Sequence, residues 1–532
     1  MMVRGQVAFA FACLVAGVIA GLASLVVSDA WNAGFSGADE PAHFLNTYLI
    51  AEYAREALGS NPLAFASEYY LHYPKISIGH WPPAFYALLS PLFLLFPATP
   101  HSAFAANLIL SALPAMLIGL LAARLHGRAI GLLAALLAAL TPVALEAQAF
   151  FMLDHAVAAA ALGATMLWIA QTERPAAWKV LGFAILAATA VLIKGNGWLL
   201  LFVPPIHLAL TGRWRLLASP WPWAAGIVAA LLVGPWYWLT AGISADGFNH
   251  SPGPAYAWQA LRYNAAALAA NVGPLGLALA VWGAIAEWRL RRSVPQRWNV
   301  AAACIGLIAA TLLLQSLVPV DLDPRYMAPA FPPLVLLAIC GAAAAVPRHP
   351  RLAVAAAAVA LAFPGLVHLA AREPKAGFQL EEAAARVTHP SAWVIDGTSG
   401  AEGAFVAAMA VRDPKLGSYA IRSSRLLAES NFMGTEYQLT VSDPVDLLSR
   451  LKALGVQGVV ISRANGEGAF PHSALLRGAV AGPNSPYRLV AGLAHRNRPG
   501  VTEIYERQGR VVMNEPALRA LGLPAKAAGL AP

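Results

Sequence analysis

Charge is scarce in this chain. Of its 532 residues only 12% are Asp, Glu, Lys or Arg, whereas soluble proteins carry about 25%. That shortage excludes an ordinary soluble enzyme with a greasy core. Cysteine is scarcer still. Cys13, Cys304 and Cys340 lie in apolar stretches without CxxC spacing, so neither a disulfide framework nor a zinc site is indicated. The thirteen histidines form no HExxH or similar ligand pattern, and His43, His72, His80 and His155 read as polar interface residues. A P-loop is also missing. Asp396-Gly397-Thr398-Ser399-Gly400 has neither its spacing nor its lysine and reads as a strand-to-helix turn. No internal repeat is visible, which disfavours transporters built from duplicated halves.

What the chain has in abundance is apolar sequence, 58% of residues, with a mean hydropathy of +0.59. The pattern predicts a polytopic α-helical membrane protein with spans near 6–27, 101–123, 129–149, 152–170, 178–193, 197–211, 220–241, 264–287, 298–319, 326–346 and 351–371, about eleven in all. The net charge of +9 sits in short loops and forms no single stripe, so the basic residues read as topology signals and nucleic acid is not an expected partner. Threading the spans alternately puts Arg124/His126/Arg128, Arg174/Lys179, Arg213/Arg215, Arg289 to Arg297 and Arg348/Arg351 on the side of Arg4. The positive-inside rule makes that side cytoplasmic. The threading requires that the short segment Trp81–Phe96, opening on Pro82-Pro83, lie along the outer surface.

Three regions follow from composition. Residues 1–372 form the membrane module, with a long outer first loop, 28–100, that is helical near Pro41–Leu58. Residues 373–514 read as a small C-terminal α/β domain on the periplasmic side, with strands at 391–395, 455–461, 487–490 and 501–505 between helices near 378–388, 400–411 and 444–454. Residues 515–532 read as a frayed tail. The polar residues of the membrane module gather on the outer side: Asp39 and Glu40 in the first loop, Glu146 to Asp154, Lys194, and Asp321 to Arg325.

A first span followed by Asp39-Glu40 with His43-Phe44, the pair Pro82-Pro83, an acidic residue in the next outer turn, Leu192-Ile193-Lys194-Gly195, and Arg325-Tyr326 near prolines together resemble the GT-C glycosyltransferases of the protein O-mannosyltransferase and aminoarabinose-transferase type. These are the phospholipid carrier-dependent glycosyltransferases, and the resemblance covers roughly residues 1–370. It implies a polyprenyl-phosphate sugar as donor, a lipid, glycan or protein as acceptor, and inversion at the anomeric carbon. The first acid of the Asp-Glu pair is the catalytic base in that family, which maps to Asp39. The chemistry agrees, since a carboxylate in hydrogen-bond reach can take the acceptor's proton. Asp39 or Glu40 before Pro41 also suits a helix cap, and one residue of the pair can do each job.

Asp154 starts an apolar helix, where it either supports the base and acceptor or compensates the helix dipole. Glu146 reads as an interfacial charge. A leaving lipid phosphate gains negative charge, so preorganised cations lower the barrier. Lys194 and Arg325 are the first candidates, with Lys75, His80 and Tyr326 behind them. Gly195-Asn196-Gly197 beside Lys194 permits close approach of a ligand. Arg325 has the alternative of pairing with Asp321 or Asp323. The family often has a lysine directly before the paired prolines, whereas this chain has Trp81, so Lys75 or His80 takes that place. One phosphate needs less neutralisation than a pyrophosphate, and no metal or other cofactor is expected to be required, although Asp39 with Asp154 is a hard-ligand pair suited to Mg²⁺ or Mn²⁺. The competing class is a transporter or flippase of a lipid-linked or anionic envelope precursor, which places ionisable groups at mid-bilayer and in interrupted helices.

Overall fold

The computed structural model describes residues 2–77, 79–244, 248, 250–429, 437–464, 470–509 and 511–522. Among them, seven helices are long and apolar enough to cross a membrane: Gly5–Val27, Pro100–His126, Pro220–Ile243, Pro254–Arg292, Pro295–Leu317, Pro324–Ala345 and Pro350–Ala371. The count rises to eight if Arg128–Ala139 and Pro142–Gln148, bent by 66°, make one broken span. This is a multi-pass helical membrane protein. The remainder of the expected eleven segments are helical but do not pass on length and composition. Asp154–Glu173 begins and ends on an acid, Ala177–Ile193 has 17 residues, and the next segment divides into a 3-10 turn, Gly195–Leu201, and a helix, Val203–Thr211. The helix expected at 264–287 starts ten residues earlier and spans Pro254–Arg289, kinked at Gly273-Pro274 where Gly273 has φ 73°.

Local chemistry sets the breaks. Pro100–His126 starts at a capping box, with Thr99 Oγ1 accepting from Ser102 N–H at 3.2 Å and Ser102 Oγ accepting from Thr99 N–H at 3.0 Å. The helix stops at Gly127, whose φ of 88° is the left-handed backbone glycine adopts freely. Inside the bundle, Pro254–Arg289 and Phe331–Ala345 touch backbone to backbone. A Cβ on Gly341 would sit 1.9 Å from the Leu279 carbonyl oxygen, the small-residue contact by which membrane helices close-pack. The helix Ala84–Leu95 has 12 residues and rises about 18 Å, short of a core of about 30 Å.

The two ends of the bundle differ in charge. At one end Arg124 pairs with Glu173 at 2.6 Å, Arg213 donates to Asn299 at 3.2 Å, and Arg297 donates to the Leu125 carbonyl at 3.2 Å. The first loop lies at the other end. Its helix Glu40–Glu56 is followed by Pro62–His72, which Asn61 caps by accepting from Leu63 and Ala64 N–H.

After the last span the chain builds a five-stranded sheet from β1 (Ala392–Asp396), β2 (Tyr419–Arg422), β5 (Val456–Ala464), β6 (Tyr487–Ala494) and β7 (Gly500–Arg507), in the order β2-β1-β5-β7-β6. The short strands β3 (Ala428–Glu429) and β4 (Gln438–Leu439) pair separately. β1 is parallel to β2 and β5, and the pairs β5–β7 and β6–β7 are antiparallel. β2 and the helix Pro471–Ala481 are additional to the elements the sequence suggests. The stretch expected to fray begins with a helix, Glu515–Arg519, with Leu518 buried; from 523 onward it lies outside the described residues.

This region is seated on the first loop. Tyr73 Oη donates to Asp413 at 2.6 Å, His72 Nδ1 lies 2.8 Å from the Ser418 carbonyl oxygen, Arg519 grips Glu68, and Arg496 pairs with Asp29 at 2.5 Å. The helix Ser399–Arg412 packs so closely that a Cβ on Gly400 would meet the Ser36 carbonyl oxygen at 2.1 Å.

At the end of β1, Asp396 is buried and accepts from Ser423 Oγ at 2.5 Å and Ser473 Oγ at 2.9 Å. Burial outweighs those hydroxyls and raises its carboxyl to about 6 from 3.8. The folded chain therefore holds this proton at pH values where the unfolded chain has released it. Stability from this group is complete below about pH 4 and is lost as pH rises through about 6, a change on the order of 3 kcal/mol. Thermal unfolding of the Asp396→Asn protein over that window is expected to lack the decline that wild type shows.

Candidate active site

Five of the residues singled out in the sequence converge at the end of the bundle that carries the first loop. Asp154 opens the helix Asp154–Glu173, and Lys194 follows the C-terminus of Ala177–Ile193 in extended backbone. These neighbouring helices bring Lys194 Nζ 2.7 Å from Asp154 Oδ1, with the acid 2% and the lysine 17% exposed. Arg325 and Tyr326 lie on the 3-10 turn Pro324–Ala330, which Asp323 caps by accepting from Arg325 N–H at 2.9 Å. The Tyr326 ring sits under both cations, 4.3 Å from Lys194 Nζ and 5.3 Å from Arg325 Cζ.

Asp39 completes the group from the first loop. Its Oδ2 is 3.6 Å from Arg325 Nη2, and its side chain is 36% exposed. Although it occupies the N-cap position of Glu40–Glu56, it makes no side-chain cap bond. Arg325 thus faces Asp39 as well as Asp323, whose Oδ2 is 3.0 Å from Nε without hydrogen-bond alignment. Two buried atoms of the cluster, Asp154 Oδ2 and Arg325 Nε, have no hydrogen-bond partner. Such atoms are costly unless something else satisfies them.

Glu40 is placed differently from the catalytic role first considered for it. It is fully buried and its two oxygens are committed. Oε2 accepts from Ser36 and Gly37 N–H at 3.0 and 2.8 Å, and Oε1 accepts from Phe151 N–H at 3.0 Å and Lys375 Nζ at 2.7 Å. It is an anchor of the loop that presents Asp39. Glu146 pairs with Arg372 at 2.9 Å and lies 3.3 Å from His368. Gly197 leaves no room for a ligand: a Cβ there would be 2.2 Å from the Ala190 carbonyl carbon, so that glycine serves the fold-back of its own turn.

Lys75 is half-buried and donates to Ser399 Oγ at 3.1 Å. Burial, with Arg422 adding to it, brings its amine down to about 7 against the pull of Glu402 and Asp39. His80 is half-buried beyond Gly79, and Trp81 packs 4.5 Å from the His43 ring.

His43 is the residue that sequence reasoning undervalued. One helical turn after Asp39, it is buried beneath the cluster with Nδ1 3.0 Å from Tyr86 Oη. Burial, and after it the positive charges of Lys194 and Arg325, hold its imidazole well below the usual range. The i, i+4 spacing from Asp39 was the available signal.

Neither carboxylate of the cluster stands alone before a metal, since Asp154 faces Lys194 and Asp39 faces Arg325. A group of described residues with ligand atoms within 4.8 Å of one another, His126, Glu287 and Cys340, lies at the opposite end of the bundle. There Arg297 already holds Glu287 through two nitrogens.

Because Asp154 is buried, removing its cation is costly. Lys194→Met is expected to destabilise the protein by about 3 kcal/mol or more, and Asp154→Asn in the same chain to restore part of the loss. A thermal-unfolding double-mutant cycle measures this, and additive effects would mean the two groups are not coupled.

Residues 80–238 match the family model described as dolichyl-phosphate-mannose-protein mannosyltransferase. That segment includes the proline pair, Asp154 and Lys194, and leaves Asp39 and Arg325 outside. ArnT from Cupriavidus metallidurans, in the structure bound to undecaprenyl phosphate, superposes with a TM-score of 0.56 and 13% identity, covering 95% of this chain and 98% of that one. The apo structure of the same protein gives 0.56 and 14%, covering 98% and 100%. The Archaeoglobus fulgidus oligosaccharyltransferase in its apo form aligns with a TM-score of 0.48 and 15% identity over 84% of this chain and 69% of that one. Among curated proteins, a sequence search finds no match. In fold over nearly its whole length, and in the sequence of residues 80–238, the chain resembles the GT-C glycosyltransferases.

Proposed function

We propose that this protein moves one sugar from a polyprenyl phosphate to an acceptor lipid, glycan or protein by direct, inverting displacement. The observation that carries the reading is the pair of unsatisfied buried atoms, Asp154 Oδ2 and Arg325 Nε, inside a cluster of two acids and two cations. A ligand offering a phosphate oxygen to Arg325 and a hydroxyl to Asp154 supplies what both lack. A sugar on a lipid phosphate, or its acceptor, has that chemistry, and the ArnT structure of the same fold is bound to undecaprenyl phosphate.

In the proposed step the acceptor hydroxyl gives its proton to the exposed carboxylate of Asp39, and its oxygen forms the new bond to the anomeric carbon. The bond from that carbon to the phosphate oxygen breaks, and its electron pair stays on the phosphate. Lys194 and Arg325 meet the charge that builds there, with Tyr326 fixing their orientation from below. Lys75 is the reserve cation. Asp154 holds Lys194 and directs its free oxygen to the acceptor. The proposed step meets the single phosphate with these side chains and uses no metal. The positive-inside rule supports a cytoplasmic arginine-rich end, and with it a cluster and C-terminal sheet on the periplasmic side of a bacterial inner membrane.

Purified Asp39→Asn protein is expected to bind undecaprenyl phosphate like wild type while transfer falls roughly 10²-fold or more, and wild-type transfer is expected to survive EDTA. Transfer by the Asn variant at the wild-type rate would remove Asp39 as the base. No transfer by either protein, with movement of the lipid-linked precursor across vesicles, would favour the carrier. The Lys75 amine adds a pH test. It is charged below about 7 and neutral above, so kcat/KM should decline on that side, and Lys75→Arg should carry the decline to higher pH. An unmoved alkaline limb would place Lys75 outside the donor site.

A further inference from the structure

The buried partner of Glu40 comes from outside the membrane module. Lys375 lies four residues past the last span, where the chain turns into the C-terminal sheet. Its Nζ, 3% exposed, donates to Glu40 Oε1 at 2.7 Å and to the Ala149 carbonyl at 3.2 Å, between the rings of Phe150 and Phe104 at 4.4 and 4.9 Å. Its backbone is held too. Lys375 N–H donates to the Ser28 carbonyl at 2.7 Å, and Asn497 Nδ2 donates to the Lys375 carbonyl at 2.9 Å. Four parts of the chain therefore meet at one lysine: the end of the first span, the Asp39 loop, the turn that leads to Asp154, and the C-terminal region.

The carboxylate it holds divides its work. One oxygen of Glu40 binds the Ser36-Gly37 turn before Asp39, and the other binds Phe151 N–H, three residues before Asp154. Glu40 thus bridges the two segments that carry the acids of the cluster, and Lys375 is the cation bonded to that bridge. We propose that Lys375 is a positioning residue for sugar transfer, locking the Asp39 and Asp154 loops into one geometry and making that geometry depend on the docked C-terminal region. This rests on the transfer reading given above.

Lys375→Met leaves Glu40 buried without its cation, so loss of activity there cannot be told from misfolding. The informative variant is Glu40→Gln with Lys375→Met, which buries no charge. An amide has one acceptor oxygen where a carboxylate has two, so the shortened set of acceptors can hold the Ser36-Gly37 turn or Phe151 N–H, and not both. In the full-length protein the double variant is expected to regain most of the unfolding midpoint that Lys375→Met loses, while kcat stays down on the order of a hundredfold. The donor KM should remain within about twofold of wild type. Amide exchange at Phe151, or at Ser36 and Gly37, should be faster than in wild type. A double variant with both its stability and its wild-type kcat restored would overturn the proposal, because the pair would then only stabilise. If wild type transfers no sugar, the reading of the reaction fails instead. The exchange measurement then decides the positioning role, and unchanged protection at Phe151, Ser36 and Gly37 together overturns it.

Discussion

A carboxylate at the end of an apolar bundle must find a cation, because the surroundings offer little water to offset its desolvation. That constraint organises this molecule. Asp154, Glu40 and Glu287 are nearly or fully buried, and each is matched by a basic side chain from another segment: Lys194, Lys375 and Arg297. The pairs tie helices to one another, and at the site end they also leave a residue of unsatisfied polarity. Asp154 has two oxygens and Lys194 takes one. Arg325 spreads its guanidinium across Asp39 and Asp323 and aligns fully with neither. A purely structural pair closes its hydrogen bonds, as Glu40 does with four donors. The incomplete ones are where a ligand has something to gain.

Exposure separates the two acids of the cluster into different tasks. Asp39 at 36% is open to solvent, whereas Asp154 at 2% keeps only the Oδ2 that Lys194 does not take. The bare N-cap position is consistent with this, since a carboxylate bonded to its own helix would present one lone pair fewer to a substrate. His43, neutral through burial and the cations above it, adds a polar floor with no further positive charge.

How much of this was readable beforehand depended on the range of the interaction. Asp39, Asp154, Lys194, Arg325 and Tyr326 were legible because charge and loop position single them out in an apolar chain, and one bundle end then collects them. Spans were legible as apolar runs, but not their breaks: the bends at Thr141-Pro142 and Gly273 depend on packing as well as on Pro and Gly. Glu40 was misassigned because proximity to Asp39 says nothing about which way its side chain points, and its partner is 335 positions away. Lys375 was invisible for the same reason, being one lysine in a linker. Gly197 misled because a glycine that makes room for its own helix looks the same in sequence as one that makes room for a ligand.

The C-terminal region changes character once its contacts are considered. An appended domain would meet the membrane module through a linker, yet here the first loop lies between the two and is held by both. Glu68, His72, Tyr73 and Lys75 face the sheet region, while Glu40 accepts from Phe151 N–H of the bundle. A loop of roughly seventy residues confined on two sides keeps little of the conformational entropy it would have alone, so the cost of ordering Asp39 is met by folding and not by substrate. The C-terminal sheet region is thereby joined, through the first loop, to the segment that carries Asp39.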